Sequence, residues 1–215
     1  MKIDVNLLET DSQIRQEILK ALSVQVNQAM SRSIVGIKSK FIDLLQIALK
    51  KEPEYTSLMS GQLRYEFGIP NTGVVDKIID IITNNGIAVT FNRVVVNARG
   101  LKGSLYLTAL SKQDIDGVIQ TDLASVLDSK GYYLPWLEWL LLKGNSPLVK
   151  RFEVRLGSNN RSRTGNAIMV DSTTNWSVPS VFAGTQTNNW FTRAIDNINE
   201  SDMQKIIQSE IEKNI

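Results

Sequence analysis

The sequence predicts an α+β fold, and three observations carry the prediction. Apolar residues recur at helical spacing over about 40 positions near the amino terminus. The period changes to two at Ile87, where Ile87, Val89 and Phe91 alternate with Ala88, Thr90 and Asn92. Helical spacing then returns, and no repeat, low-complexity tract or clear linker divides the 215 residues. The expected architecture is a long N-terminal helix and several shorter helices packed around a small antiparallel β-sheet. A single domain, 1–215, is expected, made of a long helical segment (1–52), a helical insertion (53–86) and a sheet-containing body with a C-terminal helix (87–215).

Thr10-Asp11-Ser12-Gln13 has the form of a capping box, with Thr10 as cap and Gln13 reaching back. Ile14, Ile18, Leu22, Val26 and Met30 follow at four-residue spacing, and Ile34, Ile37, Phe41, Leu44, Leu45 and Ala48 continue on a shifted face. Gly36, beside Ser33 and Ser39, is the expected bend. Such a helix either packs along its own domain or projects toward another subunit. Pro53 ends it. Tyr55 to Phe67 reads as one shorter helix burying Leu58, Leu63 and Phe67, and Gly68-Ile69-Pro70 as a turn. Asn71 or Thr72 then caps a third helix bearing Val74, Val75, Ile78, Ile79, Ile81 and Ile82. Asn84-Asn85-Gly86 stops it with a left-handed residue.

The alternation from Ile87 continues through Val94-Val95-Val96 and resumes at Ser104 to Leu110, across the glycine-bearing connection Ala98 to Gly103. Two strands so joined make an antiparallel hairpin. Asp114 to Ile119 and Thr121 to Asp128 read as short helices, the second stopped by Gly131. Pro135 suits the first turn of a helix that Gly144 ends and that is apolar nearly all round, hence buried. Phe152 to Leu156 and Ala167 to Val170 are short strands around the polar loop Gly157 to Asn166, expected to be exposed and mobile. Helix resumes near Asn189, and Ser201-Asp202-Met203-Gln204 offers a second capping box before Ile206, Ile207 and Ile211.

Composition narrows the chemistry. There is no cysteine, which excludes disulfides, thiolate chemistry and cysteine-ligated zinc, and no histidine, the commonest general base and metal ligand. Asp114 and Asp116 lie two apart on a helix and do not face each other; Asp76 and Asp80 share a face but have no third ligand nearby. Gly100-Leu101-Lys102-Gly103-Ser104 lacks the spacing of a phosphate loop. No enzyme, cofactor or metal site is therefore expected. The opening Met1-Lys2-Ile3-Asp4-Val5-Asn6 shows no signal-peptide pattern. The apolar run Leu134 to Leu142 is broken by Glu138 and falls short of the roughly 20 residues of a membrane span. Synthesis in the cytoplasm, with no membrane partner, is the expectation.

A net charge of +2 is too small for whole-molecule attraction to nucleic acid. Its distribution is uneven. Residues 145–165 carry five basic side chains, Lys150, Arg151, Arg155, Arg161 and Arg163, against the single acid Glu153; residues 188–215 carry three basic and five acidic groups. The basic segment is either a solvated surface or a ring lining or partner contact. A cytosolic nucleic-acid-binding or regulatory domain using 150–163 is the alternative function. The segment has little aromatic interleaving, and no helix-turn-helix reader is visible. A carboxylate hydrolase ranks last, because no pair of acids has convincing spacing.

All four tryptophans, Trp136, Trp139, Trp176 and Trp190, fall between Gly131 and Ile195 and mark the densest packing. The segment from Trp176 to Ala194 carries Pro179, Phe182-Ala183-Gly184-Thr185, Trp190, Phe191, Arg193 and Ala194. It resembles the closing segment of the neck, or head–tail joining (tail-completion), proteins of long-tailed bacteriophages. Trp136-Leu137-Glu138-Trp139 through Ser162-Arg163-Thr164-Gly165 resembles the middle of such proteins. The extra helices at 53–85 exceed the smallest members.

The resemblance implies a structural virion protein made in the host bacterial cytoplasm. It implies a homo-oligomeric ring, commonly a hexamer, between a portal-side connector or adaptor and a tail terminator, with DNA passing through the lumen. On this reading Trp136, Trp139, Trp176, Trp190 and Phe191 anchor the fold or a subunit contact. Arg193 pairs with an acid of a neighbouring subunit. Lys150, Arg151, Arg155, Arg161 and Arg163 face the lumen, where nonspecific contact with DNA is possible, or the next ring.

Overall fold

A computed structural model gives the structure over residues 9–128 and 130–215; the leader reading of Met1 to Asn6 lies outside the described residues. The fold is α+β. Its elements run α1 (Asp11–Lys51), α2 (Pro53–Ser60), α3 (Gln62–Phe67), α4 (Gly73–Gly86), β1 (Ile87–Asn97), β2 (Gly100–Ala109) and α5 (Lys112–Ile119). A short 3-10 turn (Asp122–Ala124) leads to β3 (Val126–Leu127), β4 (Tyr133–Leu134), α6 (Trp136–Leu142), β5 (Val149–Leu156), β6 (Ala167–Trp176), α7 (Trp190–Asp196) and α8 (Glu200–Glu212). The strands form three two-stranded sheets, β1–β2, β3–β4 and β5–β6. The chain divides into two compact units, one of Met1–Phe41, Ala88–Thr108 and Glu200–Ile215, the other of Ile42–Ile87 and Ala109–Asn199.

In the first unit, Thr10 and Gln13 close the capping box of α1: the Thr10 N–H donates to Gln13 Oε1 at 2.8 Å, and the Gln13 N–H to Thr10 Oγ1 at 3.4 Å. From Asp11 to Gln28 every side chain keeps part of its surface in water. Burial begins at Ala29 and Met30 and continues through Ser33, Ile37 and Phe41. The hairpin β1–β2 is tied to α1 by Asn27, whose amide donates to Val94 O at 2.9 Å and accepts the Val94 N–H at 2.8 Å. Those bonds satisfy one residue of an otherwise open strand edge. The turn is tighter than the sequence suggested. Only Ala98 and Arg99 lie outside the strands, Gly100 takes φ 136°, and Gly103 sits inside β2, where a Cβ would meet Val94 at 2.6 Å.

α1 continues without interruption at Gly36, the expected bend. Its missing side chain instead admits the Glu210 carboxylate of α8. Glu210 is held there by Lys40 at 2.7 Å and Lys213 at 2.6 Å, and the buried Ser33 hydroxyl donates to Glu210 O at 2.8 Å.

In the second unit, Lys51 is the last residue of α1 and Pro53 opens α2 from its first position. The single helix expected over Tyr55 to Phe67 is two, because the backbone turns at Gly61 and the buried Ser57 hydroxyl accepts the Leu63 N–H at 3.0 Å. Gly68 supplies a left-handed cap, φ 67°. The start of α4 is bonded through Asn71, whose Oδ1 accepts the Gly73 N–H at 2.9 Å. Gly86 ends it without the left-handed conformation expected there; what needs glycine is the close approach of Leu110, 2.6 Å from a Cβ built on Gly86. The helix expected over Thr121 to Asp128 is instead the 3-10 turn followed by β3. Asp128 accepts the N–H groups of Lys130 and Tyr132, both at 2.8 Å, so local turn chemistry outcompetes the helix. β5 and β6 are longer than expected and pair antiparallel from Val149↔Trp176 to Leu156↔Ala167.

Candidate functional site

The aromatic block is the core of the second unit. Trp136, Trp190 and Phe191 are fully buried, Trp176 nearly so, and Trp139 half-buried. Phe67 links two of them: its ring centroid lies 6.0 Å from that of Trp136 and 6.0 Å, edge-on, from Trp176, which meets Trp139 at 5.8 Å. Each enclosed indole N–H has an acceptor. Trp136 donates to Leu123 O (3.1 Å), Trp190 to Leu49 O near the end of α1 (3.0 Å) and Trp176 to the Glu66 carboxylate (3.2 Å). Burial pushes the Glu66 carboxyl up from its ordinary range, against the opposing hydrogen bonds from Gln62 and Trp176.

The segment before α7 closes around this core. Gly184 donates to Leu140 O at 2.9 Å and accepts the Gly144 N–H at 2.8 Å; a Cβ there would meet Leu140 O at 2.6 Å and Asn189 Cβ at 2.7 Å. Only glycine fits. The Phe182 and Ala183 N–H groups fold back onto Pro179 O. Asn189, fully buried, caps α7: its Oδ1 accepts the N–H groups of Phe191 (3.0 Å) and Thr192 (3.2 Å), and Thr192 Oγ1 accepts the Asn189 N–H at 2.8 Å.

Arg193 finds an acid within its own chain. Its guanidinium donates to Asn188 Oδ1 at 2.7 Å and forms an ion pair with Glu54. Glu54 is fully buried, and its other oxygen, Oε2, has no hydrogen-bond partner among the described residues. Asn197, one turn on, donates to the buried Glu52 at 2.8 Å. Two carboxylates on either side of Pro53, at the start of α2, thus receive α7. Sequence reasoning missed them because an acid near Pro53 reads as an ordinary helix-start residue.

Two cations of the basic segment are engaged within the chain. Arg155 pairs with Glu153 at 2.9 Å, and that contact together with the Ser172 hydroxyl holds the Glu153 carboxyl below its usual range. Arg163 donates to Leu127 O at 2.8 Å and more weakly to Phe67 O at 3.5 Å, its guanidinium lying where a side chain on Gly68 would be. The loop expected to be mobile is bonded across itself, with Gly157 N–H to Asn166 O at 2.8 Å and Asn159 N–H to Gly165 O at 2.9 Å. All five basic residues are exposed, Lys150, Arg151 and Arg161 as well as the engaged Arg155 and Arg163. Arg151 takes φ 61° at a bulge, where Lys150 pairs with Asn175 and Phe152 with Asp171.

A second basic surface, unremarked in the sequence, lies on the hairpin. Between Ile87 and Ala109 stand Arg93, Arg99 and Lys102 and no acid at all. All three are in or beside exposed strand positions, and none forms an ion pair among the described residues. The missing acids were the available signal.

Among the described residues no helix is long and apolar enough to cross a membrane, and no group of three or more His, Cys, Asp or Glu is placed to hold a metal ion. Compared with family models, curated proteins and solved structures, the chain finds no match.

Proposed function

We propose that the chain is a structural protein of the bacteriophage neck. It forms a homo-oligomeric ring, a hexamer on this reading, that joins a portal-side connector to the tail terminator and lets DNA pass. It is made in the host cytoplasm and resides in the virion. The observation that carries the proposal is the closure around α7. Gly184, Trp190, Phe191, Arg193 and Ala194, on which the resemblance rests, direct their chemistry inward to backbone carbonyls, a buried carboxylate and packing. Residues that serve a substrate need an open side; enclosed ones build the stiff body that an assembly part requires.

The competing nucleic-acid reading of 150–163 loses weight, because Arg155 and Arg163 are engaged within the chain. Lys150, Arg151 and Arg161 suit nonspecific contact with passing DNA.

Native mass spectrometry and light scattering across a concentration series, followed by electron microscopy, test the ring. One closed stoichiometry with a central opening supports it. An open-ended ladder of species, or a monomer throughout, counts against a self-assembling ring.

A further inference from the structure

The leading half of α1 carries an apolar stripe that the other described residues leave partly in water. Ile14, Ile18 and Leu22 lie on one ridge, four residues apart, and continue the line of Val26 and Met30. Ile18 is 54% exposed and Leu22 42%, whereas Met30 is 6% exposed. At 1.5 Å per residue the helix extends about 24 Å from Asn27, its clamp to the hairpin, to its first residue. Being continuous with an anchored helix, that stretch needs no nucleation of its own, so it stands ready-formed. A contiguous exposed apolar ridge of this kind marks a contact surface.

The same unit carries a matching receptor. Val26, Met30, Val94, Leu101 and Leu105, together with Gly103 and Ser104, line an open apolar groove between α1 and the β1–β2 hairpin. Arg99 and Lys102 lie close to Leu101 in sequence, within the acid-free hairpin. Residues 9–17, at the start of the stripe, carry three acids, Glu9, Asp11 and Glu17, against one base, Arg15. Ridge and groove therefore match twice, in apolar character and in sign of charge.

We propose that the groove takes the leading half of α1 from a second copy of this chain. Ile14, Ile18 and Leu22 enter between the recipient's α1 and hairpin, while Glu9 and Asp11 meet Arg99 and Lys102. The donor ridge (14–22) and the receptor groove (26–30 with the hairpin) adjoin along α1 without overlapping, and a contact used in one direction around successive copies is head-to-tail and closes into a ring. This deepens the neck reading by naming the subunit contact.

The cysteine-free sequence makes the test direct. Full chains carrying either Ile18→Cys or Leu101→Cys are mixed and oxidised. A disulfide-linked mixed dimer is expected, well above the yield from either variant alone or from Ile18→Cys mixed with Leu156→Cys, an exposed control position. Reversing the hairpin charges with Arg99→Glu and Lys102→Glu should lower the mixed yield about tenfold, and Glu9→Lys with Asp11→Lys in the partner should restore it. Circular-dichroism melts confirm that the variants fold.

Absence of the mixed dimer overturns the contact, as does a loss that charge exchange fails to restore. Salt-sensitive retention on a DNA column, abolished by that charge reversal while no mixed dimer forms, would assign the hairpin cations to nucleic acid instead. A closed oligomer without the Ile18–Leu101 link leaves the ring standing and removes this surface. The link without closure does the opposite.

Discussion

The Arg193 guanidinium on α7 forms an ion pair with the Glu54 carboxylate on α2, which is completely shielded from solvent and whose second oxygen has no partner among the described residues. Neither residue is a surface ornament. Removing the cation leaves an uncompensated charge in the core, so Arg193→Ala should cost about 3–5 kcal/mol in urea unfolding. Replacing both with apolar residues, Glu54→Leu with Arg193→Met, should cost far less, because neither side retains a stranded charge. A loss below about 1 kcal/mol for Arg193→Ala would mean the pair behaves as a solvated one.

Trp190 and Trp139 offer a matched comparison. Trp190 is fully buried and donates to Leu49 O near the last turn of α1, where no further helical N–H is available to that carbonyl. Trp139 is half-buried and contributes an edge-on contact with Trp176. Trp190→Phe should therefore cost about 1–3 kcal/mol for the orphaned carbonyl, beyond any packing loss. Trp139→Phe should cost clearly less. Equal losses in parallel melts would show that area, not the hydrogen bond, governs the site.

Much of this architecture is written in periodicity. The Thr10–Gln13 box, the long first helix, the hairpin from Ile87 and the Asn189-led last turns follow from spacing and capping chemistry. What could not be read is long-range. Gly36, Gly86 and Gly184 look like bends or stops in a sequence, yet each is small because something distant approaches it: Glu210, Leu110 or Leu140. Arg193 was legible as a cation needing an acid. That the acid is Glu54, 139 residues away in the chain, depends on a fold that local rules do not encode. The basic segment is hard to read for the same reason: counting charges cannot tell Arg161 from Arg163, whose guanidinium is bonded to two backbone carbonyls.

That last contrast is itself testable. Arg163→Ala removes donors to Leu127 O and Phe67 O and should lower stability by about 1–3 kcal/mol. Arg161→Ala, at a side chain held by no such bond, should stay within about 0.5 kcal/mol of the parent. On a DNA column the order should invert, with Arg161→Ala eluting at lower salt and Arg163→Ala scarcely moved. Similar stability for the two variants would place Arg163 among the free surface cations.

Glu210 makes an acid-side prediction whose sign can be worked through. Its hydrogen bond from Lys213, and next that from Lys40, hold the carboxyl below the ordinary glutamate range in the folded chain. A group depressed on folding contributes stability above its unfolded pKa and loses it as pH falls through the folded value. Glu210→Gln should therefore flatten the acid limb of a stability-against-pH curve. Glu66 has the opposite sign, since burial raises it; its contribution is present at low pH and lost as pH rises through its folded value. Glu66→Gln should accordingly help at neutral pH, where Glu210→Gln hurts. The glycine beneath Glu210 supplies the check on geometry. Gly36→Ala should gain about 1 kcal/mol from helix propensity alone. With the carboxylate pinned against that position by two lysines, the gain should vanish or reverse, and it should reappear in a Glu210→Ala background. Additive effects in that double-mutant cycle would show that Gly36 and Glu210 do not meet.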